Sequence, residues 1–411
     1  MSEEQVKRWS DLKFHRRWLM RRGQELLEHY RKARVPGGFA ALDDDGSLAD
    51  GIAQTIITAR MVHCYSIASM MGVPGAGPLA DHGLTALLDG PLRDAGNDGW
   101  FEQAGTRGRK QAYVHAFVML ASASAVVADR PRAKELCEAA TAVTERRFWL
   151  AQEGGMAPGF APDWTDVELY RGANANMHSV EAFLALADAT GNDIWLTRAV
   201  GLAKRFAHDI ARPNGYTLPE HFDPEWRVLP DYNRDNPADD LRPWGMTPGH
   251  FAEWAGLLLK VESALTARGL PTGDWLLSDA IGLFDSAIEH GWNVDRAPGM
   301  IYTIGNDLEP SITTRPWWVQ AEAANTAYML HCRTGQVRFE AAYRMFWDYI
   351  ADRIIDRGKG GWRPEVDRDG NRSSLVYPLR DDLYHAFQAT VTPLIPLSSS
   401  IANGIKLQSV V

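Results

Sequence analysis

An all-α fold, an (α/α)6 barrel of about twelve helices with short hairpins in the loops at one mouth, is what this sequence of 411 residues predicts. Apolar residues recur at three- and four-residue spacing along most of the chain, the period of helices that bury one face. Short links between segments alternate with long loops, at 153–176, 213–247, 292–314 and 357–380, rich in Gly, Pro, Asp and aromatic residues. That alternation describes helix pairs stacked around an axis, with the long loops gathered on one side. No Gly-rich loop stands between a strand and a helix, so Rossmann and P-loop nucleotide chemistry is disfavoured.

The helical segments span about 4–34, 47–73, 76–89, 110–128, 130–152, 177–190, 193–212, 248–268, 273–291, 315–335, 337–356 and 381–396. Their ends carry start and stop signals: Asn192 precedes one segment, Thr247 and Pro248 open the next, Gly269 closes it, and Gly335 separates the last antiparallel pair. Six inner helices would form a cup and six outer ones wrap it. An open solenoid is the other arrangement, but no fixed-period repeat supports it. Short β-prone pieces at 216–218 and 300–303 fit hairpins over the mouth and are too few for an α/β protein. Length allows several domains or one large barrel; the continuous helical pattern favours one catalytic domain over residues 1–411.

Composition narrows the function. Apolar residues make up 45% and charged residues 23% of the chain, which fits a globular protein with a large core. A net charge of -9 with scattered Lys and Arg gives no footprint for a nucleic-acid backbone. Cys64, Cys137 and Cys332 are odd in number and set in apolar helical patterns, as reduced core thiols in a cytoplasmic protein are. Neither the charged first segment nor any later run reads as a signal peptide or a membrane span. Monomer and homodimer both remain open. Fifteen tryptophans include Trp100, Trp164, Trp226, Trp244 and Trp362 in loop stretches; they read either as platforms for sugar faces or as packing of loops onto helix ends.

Several titratable groups stand near helix starts. If a helix begins near Pro248, His250, Glu253, Trp254 and Leu257 share one face; the pair is a site for a polar ligand or a surface His/Glu cap. His385 follows a long polar loop, with Asp381 one turn earlier as an orienter of its ring or as an N-cap. Asn174 and His178 lead a segment continuing through Ala182 and Ala185, small residues that leave space before the imidazole; a satisfied core histidine is the alternative. Arg60 projects between Ile56, Cys64 and Ile67, where the pattern expects burial, so it needs an anion, a carboxylate or an acceptor-rich ligand. Glu322, one turn after Trp318, reads as a partner or a sugar-hydroxyl acceptor, and Lys110 and Tyr113 are weaker candidates. Each group lies near the loop end of a different helix, and one cup would gather them.

Rival chemistries fit less well. A metal site would have to combine the His-x-x-Glu at 250–253 with His178 and His385, since no HExxH is present. No G-x-S-x-G elbow marks a serine hydrolase. A glycosidase would cast Glu253 and Glu322 as its two carboxylates. No metal and no cofactor are therefore expected.

Taken in order, Arg60, Tyr113 in the run 110–117, Asn174 with Asn176-Met177-His178, the run from Pro248 to Trp254, Trp317 to Glu322 and Leu383-Tyr384-His385 resemble the N-acylglucosamine 2-epimerase family over nearly the whole chain. That family includes mannose isomerases, related aldose-ketose isomerases and cellobiose 2-epimerases. The resemblance implies an (α/α)6 barrel in which His250 and His385 do acid/base chemistry while Arg60, His178 and Glu253 bind and polarise a sugar.

Such chemistry opens the sugar ring, removes the C2 proton and passes through an enediol. Histidine suits these steps because its ordinary pKa of about 6.5 lies near working pH. His385 is expected to move the proton from C2 to C1, with His250 acting at the ring or carbonyl oxygen. Arg60, His178 and Tyr113 would hold the developing oxyanion. Return of the proton to C1 gives a ketose and return to the opposite face of C2 gives an epimer. Disaccharide epimerases of the family tend to carry a tryptophan just before the last histidine, and the run from Tyr377 to Tyr384 has none. A free monosaccharide is thus expected, D-mannose to D-fructose first and D-lyxose to D-xylulose beside it. Epimerisation of mannose, N-acylglucosamine or cellobiose is the alternative, and a non-catalytic carbohydrate-binding barrel is the alternative of another class.

Overall fold

A computed structural model describes residues 7–381 and 383–408. Among them are thirteen α-helices: α1 (Lys13–Tyr30), α2 (Thr55–Met70), α3 (Ala76–Asp89), α4 (Ala112–Val127), α5 (Ala133–Val143), α6 (Ala173–Thr190), α7 (Asp193–Ala203), α8 (Pro248–Ala267), α9 (Trp275–Gly291), α10 (Trp317–Thr334), α11 (Val337–Tyr349), α12 (Tyr384–Val391) and α13 (Ile401–Gln408). The even-numbered helices form a closed inner ring in which each packs on the next and α12 returns to α2. Helices α1, α3, α5, α7, α9 and α11 wrap it, each against an inner partner, which is the (α/α)6 barrel.

The sequences of the two rings differ as their environments require. Inner α10 is buried at every position from Trp317 to His331, and α4 runs through Ala116, Ala121, Ala123 and Ala125, small residues that let neighbours approach. Outer α5 buries a stripe of Ala133, Leu136, Cys137, Ala140 and Val143, with polar residues elsewhere. The side chain of Asn192 caps α7 by accepting from the Ile194 amide, and Gly335 ends α10 in the left-handed region at φ 70°, as its type allows.

Boundaries shift where turns intervene. The second helix starts at Thr55 rather than 47, and α6 at Ala173 rather than 177. The first segment contracts to α1, with short 3-10 turns on either side; residues 4–6 of that segment lie outside the described residues. The long outer segments at 130–152, 193–212 and 337–356 each break into a π-turn, at Thr144–Phe148, Lys204–Ala211 and Ile350–Ile354. The expected strand at 216–218 is absent, and the pairing falls instead at His221–Phe222; at 300–303 only an isolated bridge from Met300 to Trp292 forms.

Two-residue strand pairs fix where inner helices begin. Lys110–Gln111, Arg171–Gly172 and Arg315–Pro316 lead directly into α4, α6 and α10, and pair with Gly159–Phe160, His221–Phe222 and Glu365–Val366 from the following loops. A second device recurs with them: Lys110 pairs with Asp94 at 2.7 Å, Arg171 with Glu153 at 2.8 Å, Arg315 with Asp295 at 2.6 Å and Arg380 with Asp356 at 2.6 Å. Each cation stands just before an inner helix and each acid just after the preceding outer one. Removing one partner of such a buried pair typically costs about 3–5 kcal/mol, so these pins hold the mouth. Lys110, a weaker candidate for the site, is one of them. At the other end α13 packs across α2, α4 and α6, and Ser399 and Ser400 donate to Asp188. No helix among the described residues is long and apolar enough to cross a membrane.

Two buried histidines couple this packing to pH. Burial pushes His63 down to about 4 and His115 down to about 3, so both are neutral in the fold while the unfolded chain protonates near 6.5. The unfolded state thus binds more protons below that value. Their contribution is complete above pH 6.5 and is lost as pH falls toward 4, by about 3 kcal/mol for His63 alone. Denaturation midpoints should fall across that window, and His63→Gln should flatten the fall.

Candidate active site

The first turns of the six inner helices converge on a cavity of about 250 Å³, close to the lower end of ligand pockets at about 300–1,000 Å³. Of the residues singled out from sequence, Arg60 (α2), Tyr113 (α4), Asn174 and His178 (α6), His250 and Glu253 (α8), Trp318 (α10), His385 (α12) and Asp381 in the loop before α12 line it. Glu322 sits behind His385 instead. Six helix N-termini pointing at one space supply positive potential from their free amides.

Both imidazoles are held from behind by carboxylates. His250 Nδ1 meets Glu220 Oε1 at 2.7 Å and His385 Nδ1 meets Glu322 Oε1 at 2.8 Å. A carboxylate accepts, so each Nδ1 carries a proton, and in the neutral ring it is Nε2 that keeps the lone pair. The two rings lie against Trp318, with centroids 5.1 Å and 5.9 Å away, and Trp318 Nε1 donates to the Tyr377 hydroxyl at 3.0 Å. Asp381, expected to orient His385, lines the cavity while Glu322 occupies Nδ1.

Arg60 Nη2 donates to the Tyr113 hydroxyl at 3.0 Å, and its guanidinium lies over Phe117 and Tyr384 at 4.1 Å and 5.0 Å. The aromatic clamp fixes a charge that cannot be discharged. His178 packs edge-on to Tyr113; burial first, then Arg60 and the other two histidines, push its pKa far down, so it stays neutral. Glu253 moves the other way, as burial and the nearby Glu322 and Glu181 raise it and keep its proton on. His178 Nδ1 and Glu253 Oε2 are buried without a hydrogen-bond partner, a cost of about 1–3 kcal/mol each. A ligand dense in hydroxyl groups would remove that cost.

Several wall residues escaped the sequence reading: Gln54, Glu102, Asp240 and Tyr377, and Glu220 behind His250. Glu220 lies thirty residues from the ring it holds and has no local signature. The loop tryptophans do the opposite of what a sugar platform requires. Trp100, Trp164 and Trp244 donate to the Leu87, Asn97 and Pro230 carbonyls, Trp226 packs under Arg205, and Trp362 meets Trp347 edge-on. Trp254 turns away from the cavity and stacks on Phe206.

Among the described residues, Glu253, Glu322 and His385 bring ligand atoms within 4.8 Å of one another. One Glu322 oxygen of this trio already accepts from His385 Nδ1.

A closed double ring with a histidine-walled cup at the helix N-termini defines the class as an (α/α)6-barrel enzyme. Residues 37–389 match the N-acylglucosamine 2-epimerase (GlcNAc 2-epimerase) family, and the chain belongs to that family. It is 46% identical over 401 residues to a D-mannose isomerase of Pseudomonas cannabina pv. alisalensis, covering 97% of each chain. It is 45% identical over 405 residues to a D-mannose isomerase of Thermobifida fusca, covering 97% of this chain and 98% of that one. A crystal structure of a D-mannose isomerase superposes with a TM-score of 0.84 at 28% identity, over 92% of this chain and 97% of that one.

The tautomers provide a check that needs no turnover. Imidazole ¹⁵N shifts should show Nδ1–H rings at His250 and His385. Glu322→Gln, which can present an amide N–H to Nδ1, should move the His385 proton to Nε2 and leave His250 unchanged; an unaltered His385 spectrum would contradict the arrangement.

Proposed function

We propose that this protein is an isomerase that interconverts D-mannose and D-fructose, with D-lyxose and D-xylulose as a second pair. The observation that carries the reading is the pair of imidazoles in one cavity, each with Nδ1 on a buried carboxylate and Nε2 left basic. Support comes from relatives named D-mannose isomerase at 46% and 45% identity over nearly the full chain. The cavity size also fits one monosaccharide.

In this reading His250 moves the anomeric hydroxyl proton to the ring oxygen and opens the sugar. His385 Nε2 then takes the C2 proton, the C2–H electrons form the C1–C2 double bond, and negative charge develops on O1. Arg60, the protonated Glu253 and the converging helix N-termini stabilise that charge. His250 passes the O2 proton to O1 while His385 returns its own proton to C1, giving the ketose. Tyr113, Asn174, His178 and Asp381 hold the remaining hydroxyls, and Trp318 packs against the two catalytic rings. No metal ion or cofactor takes part.

An epimerase would share every step up to the enediolate, and the family's own description keeps that alternative open. The reading also takes residues 1–411 as one catalytic domain, monomeric or dimeric. It places the enzyme in the cytoplasm, in keeping with Cys64, Cys137 and Cys332 standing as thiols outside any disulfide.

Incubation with D-mannose in heavy water tests the reading. Fructose carrying deuterium at C1 should accumulate, chelator should leave the rate unchanged, and His385→Ala should lower exchange by at least about 10³-fold while mannose binding persists. Glucose as the main product would select the epimerase, and binding without exchange a carbohydrate-binding barrel.

A further inference from the structure

Behind Glu253 and Glu322 the inner ring encloses a second, very small cavity of about 10 Å³, room for about one water molecule. Its wall includes Glu181 (α6), Glu253 and Lys260 (α8), Glu322 (α10) and Tyr384 (α12). Lys260 stands two turns after Glu253 on one face of α8. Its Nζ donates to Glu181 Oε1 at 3.3 Å, and the other Glu181 oxygen accepts from the Tyr384 hydroxyl. Three carboxyl groups therefore share one ammonium.

That stoichiometry decides what the lysine does. Burial alone would raise Glu181, but the Lys260 ammonium and the bond from the Tyr384 hydroxyl outweigh it and hold the group below its ordinary value. Burial would lower Lys260, and Glu181 with Glu322 hold it up. Glu253 escapes by keeping its proton. The remaining carboxyl, Glu322, is the one on which the His385 tautomer depends. Without the ammonium no cation remains in the cavity, and burial itself would favour the neutral form of a carboxyl group on its wall whether or not Glu181 is ionised. A proton on Glu322 would convert the acceptor into a donor and leave His385 Nε2 without its lone pair.

We propose that Lys260 is a positioning residue for proton transfer: as the internal cation of this cluster it keeps Glu322 a hydrogen-bond acceptor and thereby holds His385 in the tautomer whose Nε2 takes the sugar proton. The inference rests on His385 being the base. A purely structural lysine would serve Glu181 alone, and the two roles separate when Glu181 is neutralised.

The experiment measures kcat, KM and deuterium uptake from heavy water with D-mannose for the full chain, Lys260→Met, the charge-balanced double variant Lys260→Met/Glu181→Gln, and His385→Ala. Lys260→Met should lower kcat by about 10- to 100-fold while changing KM by less than about threefold. The double variant should stay as slow, and it decides the matter if the single variant does not fold. Return of kcat to the level of the unmodified enzyme in the double variant, or a single variant of undiminished kcat, overturns the role assigned to Lys260. Undiminished exchange in His385→Ala would instead overturn the base assignment beneath it.

Discussion

Each imidazole in the cavity is useful as a base only while its Nδ1 proton is held, and the carboxylates that hold it, Glu220 and Glu322, must be buried to stay in place. Buried acids are costly unless paired. Much of the inner ring near the mouth follows from that requirement. Glu322 shares its neighbourhood with the neutral Glu253 and with Lys260. The chemistry at the surface of the cup thus depends on groups one layer below it.

The barrel supplies the framework through helix starts rather than helix bodies. Every inner helix brings its first turns to the cavity, and their register is set outside the helices by strand pairs and by cations such as Arg171 and Arg315 clamped to acids of the preceding loop. The far ends of α2, α4 and α6 are covered by α13. One end of the ring is therefore built for packing, and the other is left with unsatisfied polar atoms that a sugar can meet.

Much of this was legible in the sequence because it is local. The 3.6 period marked both rings, with α3 and α8 placed almost to the residue, and Arg60 stood out as a charge where apolar burial was due. The same logic applies to Lys260 after three leucines and to Glu181 within α6, and it would have pointed to the internal cluster. Glu220, Asp240 and Tyr377 reach the site from loops whose course depends on pairings across the barrel, and periodicity does not report those. The short α13 carries Asn403 and Gly404, poor helix formers, and gains its order from packing on the ring. Of the two readings open for the loop tryptophans, packing holds, because backbone carbonyls and neighbouring rings satisfy an indole as well as a sugar face can.

A crystal structure with an open-chain hexitol bound, a substrate mimic that cannot react, tests the central claim most directly. The account predicts the polyol across Trp318, with His385 Nε2 about 3–3.5 Å from the C1–C2 edge and His250 Nε2 at the oxygens of the same end. A polyol held away from both rings, or either Nε2 turned from it, would contradict the account.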